Sequence, residues 1–129
     1  MALGALFVAL AGVATAQQPA RPRIGLGCEP TEVSLTYLCT LTIADASGRP
    51  VDRAQVTLSA DMPFMLMAHN VAPVKVQPVP GQAGSYRGHL VLEMTGEWEV
   101  RLRFVTPRPD VVVRKLDFQK DKVLPIGSR

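Results

Sequence analysis

Histidine, cysteine and aromatic side chains are scarce in this chain. Its 129 residues include two histidines and two cysteines, and aromatics make up 5%. No nucleophile elbow, zinc-protease helix or phosphate loop is present. Cys39 and the two histidines, His69 and His89, make no nucleophile–base–orienter set. An enzyme is therefore not expected. The spacing of Cys28 and Cys39 matches no zinc pattern. A blue-copper centre needs two histidines, a cysteine and usually a methionine, clustered late in the chain, whereas Cys39 is early. No stretch carries the helix period over a useful length. Basic side chains such as Arg101, Arg103, Arg108, Arg114 and Lys120 are scattered, without interleaved aromatics. They read as a solvated surface, not a nucleic-acid stripe.

No apolar run reaches the ~20 residues that a membrane-spanning helix needs. Residues 1–16 are uncharged, almost wholly apolar, and end in Ala14-Thr15-Ala16. This is the hydrophobic region and cleavage pattern of a signal peptide, although no Lys or Arg precedes it. A retained hydrophobic anchor is the alternative. Residues 17–23 then read as a linker. The expected location is periplasmic or extracellular, with no transmembrane domain beyond the N-terminal segment. The formal net charge of +3 lies wholly outside residues 1–16. The 113 residues left by cleavage (129 − 16) make one small domain with a single core.

What is present is period-two alternation, the mark of half-buried strands. A strand is expected over 32–44, with Val33, Leu35, Tyr37, Cys39, Leu41 and Ile43 inward. Residues 45–50 form a turn in which Gly48 permits a positive φ and Pro50 presets the following chain. A second strand covers 51–59, and 72–84, rich in proline and glycine, is a loop or an edge strand. Tyr86, Gly88, Leu90, Leu92 and Met94 alternate, and Gly96 makes a turn. Trp98, Val100, Leu102 and Phe104 then face inward, with Glu97, Glu99, Arg101 and Arg103 outward. A last strand covers 111–118, and 119–129 is a polar tail. About seven short strands give an all-β, antiparallel two-sheet sandwich over 24–118. Trp98 reads as a core anchor whose indole N–H needs a partner.

Three of the five methionines and one histidine fall in Met62-Pro63-Phe64-Met65-Leu66-Met67-Ala68-His69. In an extended segment Met65, Met67 and His69 project to one side. Thioethers are soft ligands that select copper(I), and imidazole suits either copper state. Pro63 argues against a central strand. The competing reading is packing, since methionine is a common core filler. Met94 is in phase with Leu90 and Leu92 and could serve a core or a rim site. His89 is out of phase and should face away.

In an exported chain Cys28 and Cys39 suggest a disulfide worth about 2–3 kcal/mol, with two free buried thiols or metal ligation as alternatives.

Four ordered elements carry a resemblance: Asp45-x-x-Gly48-Arg49-Pro50-Val51-x-x-Ala54-x-Val56, Met62-Pro63-x-Met65-x-Met67, Gly84-x-Tyr86-x-Gly88 and Met94-x-Gly96-x-Trp98. Over 24–118 the chain resembles the YtkA-like domain family, related to FixH, of exported or membrane-anchored bacterial proteins. The resemblance implies an immunoglobulin-like fold. It also implies a link to copper handling or to assembly of a copper-dependent or respiratory-oxidase partner. Copper ligands carry over at Met62, Met65, Met67 and Met94, and His69 adds a ligand beside them. Two functions are expected to compete. One is an exported module that binds or carries copper(I); the other is a metal-free interaction or assembly domain of the cell envelope. Convergence of Met65, Met67 and His69 at a surface cleft separates them.

Overall fold

The computed structural model describes residues 4–6, 8–9, 11–12, 21–65 and 71–127. Most of the apolar N-terminal segment, and Met67 and His69, lie outside the described residues. Among the described residues there is no helix, and none long and apolar enough to cross a membrane.

Among the described residues nine strands form two antiparallel sheets. They are β1 (Arg23–Pro30), β2 (Thr36–Ala44), β3 (Gln55–Asp61), β4 (Val74–Lys75), β5 (Gln77–Pro78), β6 (Ser85–Val91), β7 (Gly96–Thr106), β8 (Asp110–Phe118) and β9 (Val123–Pro125). One sheet runs β1-β2-β6-β5 and the other β4-β3-β7-β8-β9. The inner faces meet in one apolar core. Trp98, Val100, Leu102 and Phe104 from β7 and Tyr86 and Leu90 from β6 are all buried, as their alternation requires. Glu97, Arg101 and Arg103 are exposed and Glu99 is half-buried on the outer face.

Buried phenols keep their partners. Tyr86 donates to the carbonyl of Val51 at 2.7 Å and accepts the Ala54 N–H at 3.0 Å. Tyr37 donates to the carbonyl of Gln119 at 2.8 Å and stands edge-on to Phe118, ring centroids 4.9 Å apart. In the turn after β2, Gly48 has φ 89°. Asp45 Oδ1 accepts the Ser47 hydroxyl and the Ser47 and Arg49 N–H groups. The Ser47 hydroxyl, then the Arg49 N–H, hold that carboxyl below the usual range.

The expected strand over 32–44 is shortened at its start. Residues 31–35 form the β1–β2 loop, where Val33 is 65% exposed and Leu35 has φ 55°. A left-handed φ at a branched, non-glycine residue breaks the strand conformation, so the apolar phase of Val33 and Leu35 is not a buried face. The expected start of the second strand also moves, from 51 to Gln55. The proline-rich stretch 72–84 holds two 2-residue edge strands, β4 in one sheet and β5 in the other. The chain crosses between sheets at Val76, which is buried and donates its N–H to the Val56 carbonyl at 3.1 Å. Gly88 makes room for this crossing. A Cβ there would stand 3.2 Å from Val74 Cγ1 and 3.4 Å from Val76 Cγ1. The stretch read as a polar tail supplies β9, whose backbone pairs with Leu116–Phe118 of β8.

Cys28 and Cys39 are bonded, S–S 2.09 Å, with Cα atoms 4.0 Å apart. They are direct cross-strand neighbours within one sheet. The bridge therefore ties edge strand β1 to β2 and does not join the sheets.

Candidate functional site

Strand register gathers four connections at one end of the sandwich. They are the β1–β2 loop (31–35), the turn leaving β3 (62–65), the β6–β7 turn (92–95) and the β8–β9 loop (119–122). Met94 belongs to the third and Met62 and Met65 to the second.

The Met-rich segment does not begin as an extended edge. The chain leaves β3 at Asp61 and turns over 62–65, closed by the Met65 N–H donating to the Met62 carbonyl at 3.2 Å. Pro63 occupies the second position of that turn, where its fixed φ fits. Met62 is half-buried against the core, while Phe64 and Met65 at the turn tip are 85% and 45% exposed. The predicted sharing of one side by Met65, Met67 and His69 falls partly outside the described residues.

Met62 reaches the β6–β7 turn. Its Cε lies 3.0 Å from where a Cβ on Gly96 would stand, and Gly96 itself has φ 135°. That backbone conformation selects glycine, while the flexible methionine tip overhead can give way. Met94, two residues earlier, is half-buried and packs on the core. Its carbonyl accepts the indole N–H of Trp98 at 3.2 Å, so the buried indole supports the turn. Met94 also lines a cleft of about 600 Å³ with Thr31, Leu35, Tyr37, Thr95 and Lys120. The structure thus brings Met62 and Met94 to one turn, with Met65 on the neighbouring tip. His89 is exposed on the outer face of β6, opposite Leu38, as its phase implies.

The outer sheet face at this end is acidic. Asp61 pairs with Glu99 and Glu97 with Asp117, two like-charge cross-strand pairs. Lys115, opposite Glu99, approaches it at 3.9 Å. Such charge raises the local concentration of cations, while thioethers discriminate among them by softness. Among the described residues no three His, Cys, Asp or Glu side chains come together as a metal cage.

The alternation pattern did not disclose an apolar cleft of about 260 Å³ at the opposite end. Ile24, Ile43, Val51, Phe104 and Pro107 line it, with Asp45, Arg108 and Asp110. Its only sequence sign is the break in alternation at Pro107 and Pro109. None of the described methionines lines it.

A small antiparallel β-sandwich with methionines from two connections at one end is the class these features define. A family model described as YtkA-like matches residues 30–103, more than half of the chain, and the chain belongs to that family. No curated protein and no solved structure matches it.

Proposed function

We propose that this chain is an exported module that binds or carries copper(I) through its methionine-bearing end. The observation that carries the reading is Met62 lying against Gly96, at the turn that carries Met94, in a chain with a disulfide. A disulfide suits an oxidising compartment, where thioethers persist as soft ligands and thiols do not. The donor chemistry fits copper(I): Met62, Met65 and Met94 are neutral and soft. Met67 and His69 continue the same segment. On this reading the protein works in the periplasm or outside the cell. It serves a copper-dependent or respiratory-oxidase assembly partner.

A methionine site has no proton to lose, so copper(I) binding persists at mildly acidic pH. Titration of the protein with copper(I) against a competing chelator tests the reading. Met65→Leu with Met67→Leu keeps volume and apolarity while removing sulfur. That double variant should fold normally and lose most copper(I) affinity, and Met62→Leu with Met94→Leu should do the same. Unchanged affinity in both makes the methionines packing residues.

A second reading has its own observation. Met62 and Met94 pack on the core, and Phe64 and Met65 project from an exposed tip. Under it the same end is a metal-free contact surface for an envelope protein, adaptable because methionine side chains are flexible.

A further inference from the structure

Three of the four sheet edges are short. β4 and β5 have two residues each, β5 including Pro78, and β9 has three, including Pro125. The fourth edge, β1, has eight residues. A long open edge is a template for strand addition.

The phase of β1 tells which backbone groups face off that edge. The Cα atoms of Cys28 and Cys39 are 4.0 Å apart, the close spacing of a pair that exchanges no backbone bonds. Ile43, opposite Ile24, gives the same phase. Its N–H goes to Gly84 at 2.8 Å and its carbonyl accepts from Val51 at 2.9 Å, both away from β1. Ile24, Leu26 and Cys28 therefore turn their N–H and carbonyl groups outward, while their side chains pack inward. The Ile24 carbonyl accepts from Arg114 at 3.4 Å, which confirms the direction.

The edge reads Pro22-Arg23-Ile24-Gly25-Leu26-Gly27-Cys28-Glu29-Pro30. By residue type it is symmetric about Leu26. We propose that β1 is a self-pairing edge, on which a second copy of this chain docks antiparallel about a twofold axis through Leu26. Leu26 then faces Leu26 of the second copy, and Ile24 faces Cys28 of the second copy. Each of these pairs exchanges two backbone hydrogen bonds. On the exposed side Arg23 stands opposite Glu29 of the second copy, and Gly25 opposite Gly27, so charges match and no side chains collide. A proline without an N–H closes the shared ladder at each end. The product is one continuous sheet, β5-β6-β2-β1-β1-β2-β6-β5. Arg114 gives up the Ile24 carbonyl to the Cys28 N–H of the second copy. One strand pair is a small interface, so the dimer is weak and concentration-dependent.

Sedimentation velocity over a concentration series tests this on the purified protein, with circular dichroism confirming that each variant is folded. Arg23→Glu and Glu29→Arg each set like charges opposite one another twice, by symmetry. Each should weaken dimerisation about tenfold or more. The swap carrying both changes recreates the opposite-charge pairs and should restore it. Arg114→Ala, which clears the edge, should leave dimerisation unchanged or strengthen it. A wild-type protein that is monomeric at every concentration overturns the proposal. So does a dimer indifferent to the single reversals, or one that the swap does not rescue.

Discussion

Trp98 donates its indole N–H to the backbone carbonyl of Met94 across 3.2 Å. The one tryptophan of the chain thereby spans two roles. Its ring fills the core, and its polar edge holds the turn that carries a candidate ligand. Trp98→Phe keeps aromatic bulk and removes the donor. The lost bond and the smaller ring together should cost about 1–3 kcal/mol. Urea denaturation should show a lower midpoint with an unchanged slope, since the same surface is exposed on unfolding.

Gly96 is constrained by its φ of 135° and by Met62 Cε at 3.0 Å from a Cβ position. The methionine tip is flexible and can move aside, so the backbone term should dominate. Gly96→Ala should cost about 1–3 kcal/mol. Coupling with Met62→Ala in a double-mutant cycle should stay below about 0.5 kcal/mol. A large coupling would instead show that methionine packing dictates the glycine.

The Cys28–Cys39 bridge spans a sequence separation of 11. Chain entropy assigns a loop of that size about 2–3 kcal/mol. Cys28→Ala with Cys39→Ala, or reduction of the wild type, should lower the denaturation midpoint accordingly. Thiol titration of denatured, unreduced protein should find no reactive thiol.

Burial raises the Tyr37 phenol above its ordinary value. Its hydroxyl also donates to the Gln119 carbonyl, which requires the protonated form. Above pH of about 10 the unfolded chain releases this proton and the folded one retains it. The contribution of Tyr37 is therefore fully present below that pH and is lost as pH rises through the folded value. Tyr37→Phe should abolish this part of the alkaline slope, at a cost of about 1 kcal/mol at neutral pH. Denaturation midpoints measured on both proteins between neutral pH and the alkaline range decide it.

The sandwich was legible wherever one face of a strand is buried along its length. Trp98 to Phe104 and Tyr86 to Leu92 alternate without exception, because each inward position meets the opposing sheet. Val33 and Leu35 mislead because two apolar residues in phase cost little to place in a loop, and alternation does not report φ. β4, β5 and β9 are too short to hold a pattern; backbone pairing with longer neighbours creates them. At the site, Pro63 fits an edge strand and the second position of a turn equally well. Only the closure from Met65 to Met62 distinguishes them. The approach of Met62 to Gly96 has no local sign in the sequence. It depends on register between β3 and β7, which no local pattern encodes.

The crossing at Val76 should make one flank of the molecule open faster than the other. Between two strands of two residues each, a single buried valine holds the closure of the sandwich along that flank. The opposite flank has the eight-residue β1 and its disulfide. Transient opening should therefore begin at 74–78, where few bonds must break, and leave β7 closed at the centre of its sheet. Amide protons on that flank exchange with solvent first. Solvent should thus reach the hydrophobic interior from this flank before the two sheets part.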